Sequence, residues 1–395
     1  MKRAYIWTLI LVIWAVTLVP YSVGAAPAVS APPSIHAQAA ALIDVTSGRI
    51  LFSHLGDKSL PIASLTKIMT AIVAIERGKL TDQVEVSRNA YGKEGSSIYL
   101  KLGEKMSLHH MLYGLMLRSG NDAATAIAEH VGGSLEGFVY MMNEKAQELG
   151  MTDSHFANPH GLDQEGHYAS ANDLAKLTAY SLKNPIFQEI VKTSVKRVPN
   201  PNEKWDTIWS NKNKMLSTYE GSDGVKTGYT KVAKRCLVSS ATRKGQQLAV
   251  VTLNDSDDWA DHARLLDFGF SQYPLQLLTH KGDKIEGGNV VGHSFYYPLN
   301  KAELDKVEKR IVLDKEQSVK AQLGVVGTLE ITIANKLIGR VLIYPNSSPL
   351  LKAKEDSTLN LLDKSDSKSK LVSFPLTLWK MISALFLKNG STFRS

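Results

Sequence analysis

Pro61-Ile62-Ala63-Ser64-Leu65-Thr66-Lys67-Ile68-Met69-Thr70-Ala71-Ile72-Val73-Ala74-Ile75 is the stretch from which the rest of the chain can be read. A proline ahead of a long apolar-rich run, with Gly78 just beyond it, predicts a helix that opens near Ile62 and stops at Gly78. At its start Ser64 and Lys67 stand three residues apart, so a hydroxyl and an amine share one face. The amine can take the hydroxyl proton if burial or a neighbouring cation lowers its pKa. The helix N-terminus adds positive potential where an oxyanion would form.

Alone, a Ser-x-x-Lys spacing is a weak signal, because it recurs at Ser365 and Ser367 in a charged, serine-rich segment. Ser119-Gly120-Asn121 is a second element and also has an echo, Ser170-Ala171-Asn172. Lys226-Thr227-Gly228, preceded by Gly224-Val225, is a third. The ordered set is what is specific: Ser-x-x-Lys, Ser-x-Asn and Lys-Thr-Gly follow one another in the order of a serine acyl-transferase signature. The predicted settings fit, with the first on a helix, the second in a turn between helices and the third just before a strand.

Working outward, residues 40–44 and 49–52 read as two strands around the turn Thr46-Ser47-Gly48. Helical patterns begin near Leu108, Asp122, Leu135 and Asn172. Strands return at 236–242 and 247–254 around Arg243-Lys244-Gly245, and a helix follows over 257–270. Strands that open and close a segment of helices predict a mixed α/β domain whose terminal strands pair antiparallel under a helical cover. After Tyr273-Pro274 short alternating runs dominate, the clearest being 328–333 and 337–344 around Asn335-Lys336.

The chain is therefore identified as a member of the low-molecular-mass penicillin-binding proteins, the serine-type D-alanyl-D-alanine carboxypeptidases of the S11 peptidase kind. The resemblance extends to Leu117-Arg118-Ser119-Gly120-Asn121-Asp122-Ala123-Ala124 and to Phe156-Ala157-Asn158-Pro159-His160-Gly161-Leu162, and it looks closest to the sporulation-associated Gram-positive branch. It implies an α/β (α+β) penicillin-binding/β-lactamase-like catalytic domain, an antiparallel sheet flanked by helices, with a C-terminal β-rich domain. The expected division is a signal peptide at 1–25, the catalytic domain at 26–274, the β-rich domain at 275–362, and a linker and helix at 363–395. The implied substrate is the peptidoglycan stem pentapeptide, which loses its terminal D-alanine; β-lactam antibiotics are the implied inhibitors. By the same resemblance Ser64 is the nucleophile, Lys67 its base, and Ser119 the relay to the leaving amine. Asn121 bonds substrate and Lys67, Lys226 supplies positive potential, and Thr227 holds the terminal carboxylate. Gly228 leaves room beside the strand, and the amides of Ser64 and Tyr229 form the oxyanion hole. Lys212 stands where relatives carry Arg, as a point charge in place of a bidentate fork.

The ends of the chain suit that setting. Lys2 and Arg3, an apolar run over 4–19, and small residues up to Ala25-Ala26 have the order of an export signal. Residues 371–387 pattern as an amphipathic helix with Lys380 and Lys388 off its apolar face, suited to lying on a membrane surface. The net charge of +8 suits a polyanionic neighbour, and the dispersed basic residues argue against nucleic acid. The single cysteine, Cys236, excludes an internal disulfide and reads as a buried structural thiol. The histidines show no zinc-ligand spacing, and no cofactor or metal is expected. A β-lactamase would need a glutamate to hold the deacylating water, and 149–155 offers none. A DD-endopeptidase on the same residues, and a non-enzymatic wall-binding protein, are the other readings.

Overall fold

The computed structural model describes residues 31–199, 204–314, 321 and 324–352. The expected signal segment, the charged linker with Ser365 and Ser367, and the helix over 371–387 lie outside the described residues. Strands β1 (Ala39–Asp44) and β2 (Ile50–His54) form the predicted hairpin. Its turn is closed locally: the Asp44 carboxylate accepts from the Ser47 amide at 2.8 Å and hydroxyl at 2.7 Å, and Gly48 takes the left-handed φ of +71°.

Three strands from the far end of the segment complete a five-stranded sheet: β3 (Ser222–Thr230), β4 (Lys234–Arg243) and β5 (Gln246–Leu253). The order is β2-β1-β5-β4-β3 with every pair antiparallel, so the first and last parts of the segment meet where β1 lies against β5. Both faces are buried, and the alternation along β1 shows it. Ala39, Ala41 and Ile43 point into the larger core, whereas Ala40 and Leu42 join Leu265 and Leu266 of the helix that follows β5. The predicted helical cover is present on both sides.

Helix α1 (Thr66–Arg77) runs through the larger core, with every residue from Thr66 to Ile75 buried. A helix buried on all sides needs neighbours on all sides. They are α2 (Leu108–Arg118), α3 (Asn121–Gly132), α4 (Leu135–Glu148), α5 (Ala171–Ser181) and α6 (Pro185–Lys192). Several have side-chain caps: Ser107, Ser134 and Ser170 each accept an amide from the first turn, as does Asn184 ahead of Pro185. The Ser170-Ala171-Asn172 echo is thus an N-cap. Helix α6 was absent from the sequence reading although Asn184-Pro185 announced it.

Helix α7 (Asp258–Gln272) covers the other face of the sheet. Beyond it a second antiparallel sheet, ordered β6-β7-β10-β9-β8, is built from β6 (Lys284–Ile285), β7 (Asn289–Val291), β8 (Val307–Leu313), β9 (Gly327–Ile333) and β10 (Lys336–Pro345). The β9–β10 hairpin is the one predicted around Asn335-Lys336. Arg49, at the end of the first hairpin turn, ties the two sheets' surroundings. It ion-pairs with Glu303, donates to the Pro298 carbonyl at 2.6 Å, and lies over the rings of Tyr273 and Tyr297.

A buried histidine joins α7 to the first sheet. His262 Nδ1 lies 2.5 Å from Ser239 Oγ on β4, and Nε2 lies 3.0 Å from Thr252 Oγ1 on β5. Burial pushes its pKa from 6.5 down to about 3. Between those values the unfolded ring binds a proton that the folded ring does not. The group therefore leaves stability unchanged above pH 6.5 and lowers it as pH falls from 6.5 towards about 3. Thermal melts between pH 7 and pH 4 should show this decline, and His262→Gln should flatten it. An identical slope in the variant would remove His262 as a cause.

Candidate active site

The nucleophile segment departs from the predicted helix in one respect. Ala63–Leu65 forms a 3₁₀ turn and α1 starts at Thr66, because Ala63 sits at φ +48°, outside right-handed helical space. Ser64 is therefore half-buried on the lip of the helix and not within it. Thr66 stabilises the turn: its hydroxyl donates to the Ala63 carbonyl at 2.8 Å and receives His167 Nε2 at 2.7 Å. His167 Nδ1 accepts the Ala157 amide, which fixes the neutral tautomer. Burial pushes this histidine's pKa down to about 4.

Lys67 is fully buried, and its amine faces three oxygens: Ser64 Oγ at 2.9 Å, Asn121 Oδ1 at 2.7 Å and the His160 carbonyl at 2.5 Å. Asn121 Nδ2 donates to the Glu94 carbonyl at 2.7 Å, so its Oδ1 is the atom turned to Lys67. Two of the three oxygens can only accept. A neutral amine has two N–H bonds for them and one lone pair left, and the remaining neighbour, the Ser64 hydroxyl, is the one that can donate. Burial lowers the Lys67 pKa well below its ordinary value, and the charges of Lys226 and Lys212 lower it further.

Ser119 and Asn121 occupy the predicted turn between α2 and α3. Ser119 caps α2 at φ +65° and is buried. Asn121 is the first residue of α3, its amide bonded to the Ser96 carbonyl at 2.7 Å. Asp122, which the sequence reading did not single out, accepts from the amides of Ile98 (3.1 Å) and Leu100 (3.2 Å) and from the Ser97 hydroxyl (2.6 Å). It thereby holds the 96–100 loop against the start of α3. Its signal in the sequence was masked, because an acid in the first turn of a helix is ordinary on dipole grounds alone.

Lys226-Thr227-Gly228 lies within β3, where the sequence reading expected it to precede a strand. Two glycines and the polar residues of this strand erase the alternation by which strands are recognised. As the last strand of the sheet, β3 runs beside the nucleophile. A Cβ on Gly228 would stand 3.2 Å from the Ser64 amide nitrogen, so glycine permits that approach. Tyr229, next in the strand, is exposed. Lys226 is buried, and burial together with Lys212 pushes its pKa down to about 7. The segment of Lys212 is pinned at both ends: its amide donates to the Leu117 carbonyl at 3.2 Å, and Asn213 donates to the Gly224 carbonyl at 2.7 Å. Lys212 Nζ reaches Ser96 Oγ at 3.2 Å. The structure thus brings all three sequence elements and Lys212 around one groove.

The 156–162 loop supplies the rest. Asn158 Oδ1 accepts the amides of His160 (3.3 Å) and Gly161 (2.7 Å) and shapes the turn that offers the His160 carbonyl to Lys67. Gly161 has φ +84°, and a Cβ there would fall 2.0 Å from the Ala63 carbonyl. Cys236 is buried, which pushes its thiol up to about 12 and leaves it structural, as expected. Among the described residues one group could offer metal ligands, His36 with Asp257 and Asp261, and Arg264 already ion-pairs with both aspartates.

Residues 26–257 match the model of the family Peptidase_S11, D-alanyl-D-alanine carboxypeptidase. The chain is 39% identical over 260 residues to D-alanyl-D-alanine carboxypeptidase DacF of Bacillus subtilis, covering 63% of this chain and 66% of that relative. It is 32% identical over 340 residues to DacC of Escherichia coli, covering 78% of this chain and 82% of that one. The crystal structure of penicillin binding protein 6B from Escherichia coli superposes with a TM-score of 0.64 at 29% identity, over 80% of this chain and 97% of that one.

Gly161→Ala tests whether the 156–162 loop sets the geometry of Lys67. The added methyl must push the loop away from Ala63, and a displacement near 1 Å is enough to slow a positioned reaction about a hundredfold. Stopped-flow acylation by a fluorescent penicillin should slow by that order while the protein stays folded by circular dichroism. A rate within twofold of wild type would show the loop is not needed.

Proposed function

The chain belongs to the peptidase S11 family of D-alanyl-D-alanine carboxypeptidases, and on that footing we propose that it removes the terminal D-alanine from peptidoglycan stem pentapeptides through an acyl-enzyme on Ser64. The observation that carries this reading is the Lys67 amine, held by two carbonyl oxygens with its lone pair left for the Ser64 hydroxyl. In the proposed step Ser64 Oγ attacks the penultimate D-alanine carbonyl carbon as its proton passes to Lys67. The developing oxyanion lies between the amides of Ser64 and Tyr229. The peptide C–N bond then breaks, and the proton travels from Lys67 through the Ser119 hydroxyl to the leaving amine of D-alanine. Water hydrolyses the ester and frees Ser64. Asn121 orients Lys67 and the substrate amide. Lys226, Lys212 and Thr227 receive the terminal carboxylate.

Penicillin enters by the same attack and leaves slowly. The 156–162 loop presents a backbone carbonyl to Lys67 where a β-lactamase would need a glutamate-held water. Export on a signal at 1–25, attachment to the outer face of the cytoplasmic membrane by 371–387, a catalytic domain at 26–274 with a β-rich domain at 275–362, and a place in the sporulation-associated branch complete the proposal. The match to a Bacillus subtilis relative supports that branch. Among the described residues no helix is long and apolar enough to cross a membrane.

Two measurements test the mechanism. D-alanine release and penicillin labelling should both vanish in Ser64→Ala, and Lys67→Ala should slow acylation by about 10²–10⁴-fold. Labelling that survives Ser64→Ala would show a different nucleophile. The second is the pH profile. Lys67 must be neutral to accept a proton, and Lys212 is one of the cations that keep its pKa low. Lys212→Gln should therefore move the acidic limb of the acylation profile to higher pH. A limb that stays put or moves to lower pH would contradict the role of Lys67 as base.

A further inference from the structure

A cavity of about 840 Å³ is lined by residues from the 89–94, 135–143 and 157–164 segments. His160 and Glu94 line it, and these are the residues whose carbonyls face Lys67 and Asn121. The volume is within the range of small-molecule sites, roughly 300–1,000 Å³. Three features of the lining narrow the occupant. Tyr91 and Tyr140 stand at its rim with much of their surface open, at 49% and 66%. Exposed flat rings of this kind have apolar faces to offer and hydroxyl tips that remain wet. The charged lining residues are Glu94, Glu136 and Asp163 against Lys93, so the rim repels anions, and its carboxylates accept from hydroxyl donors. His160 adds no charge near neutral pH, since burial pushes its pKa down to about 3.

We infer that this cavity is a sugar subsite that takes a neutral N-acetylated amino-sugar unit of the glycan strand from which the stem peptide hangs. The inference rests on the proposed function for the link between sugar and peptide, and on the cavity itself for the chemistry. A ring stacks on Tyr91 and Tyr140, and its hydroxyls donate to the rim carboxylates. The peptide then runs past Leu162 and Asp163, which line the same cavity, into the groove beside β3. Such a subsite would make the enzyme prefer pentapeptide still attached to its sugars.

The test uses the full chain and two probes. D-alanine release is compared for free pentapeptide and for disaccharide-pentapeptide, and N,N′-diacetylchitobiose is examined by saturation-transfer NMR. The expected result is a gain in kcat/KM of about tenfold for the sugar-linked substrate, carried by KM, as two aromatic contacts allow. Tyr91→Ala and Tyr140→Ala should reduce the gain to under twofold and abolish the chitobiose signal, with free-pentapeptide kinetics unchanged. Equal kcat/KM for both substrates with no chitobiose signal would overturn the subsite, as would variants that slow both substrates alike. If neither substrate releases D-alanine but chitobiose still binds through the two tyrosines, the sugar site stands and the proposed activity falls.

Discussion

A lysine amine buried among three oxygens is the constraint around which this molecule is organised. Among the described residues Lys67 has no carboxylate hydrogen-bonded to it, and the charges acting on it include two further cations, Lys226 and Lys212, opposed by Asp122. Such an arrangement opposes folding, since a buried ammonium is expensive and like charges add to the penalty. It is tolerated because the amine can shed its proton and because α1 is held on every side by apolar packing. The same packing that keeps water out sets the chemistry in place. The oxygens come from three separate parts of the chain, namely the nucleophile turn, the start of α3 and the 156–162 loop. Small backbone devices in each, such as Ala63 and Ser119 at positive φ and Asn158 bridging its own turn, have to agree before the amine is placed.

Much of this was legible in the chain. The hairpin at 46–48, the apolar-rich run after Ser64 and the β9–β10 alternation all carried periodic or turn signals, and the structure reproduces them. The three motifs were legible as an ordered set, and the fold brings them together. What could not be read was the element that gains its identity from its neighbour. Strand β3 shows no alternation because one side is spent on a buried lysine and two positions are glycine for close approach. Ala63 gave no warning of its backbone angle, which is imposed by the packing of the turn and not by residue preference.

The supporting residues were hidden for a different reason. Asp122, Asn158, His167 and Asn213 work by accepting or donating backbone hydrogen bonds to segments 10 to 24 residues away or to their own turn. Each has an innocent local reading as a helix-start acid, a turn asparagine or a buried histidine. Long-range pairing leaves no mark on spacing, so only the folded geometry separates the roles.

The sheet order has one more implication. With β3 at the rim of the first sheet, beside Ser64, the outermost hydrogen-bonding edge belongs to the strand that carries Lys226-Thr227-Gly228. An extended peptide that docks there lengthens the sheet by one member, as a guest strand does on any open edge. Under the proposed function the stem peptide would lose its last residue while serving briefly as part of the architecture. Selectivity for an extended, end-on peptide would then be inherited from strand topology, before any side chain makes a choice.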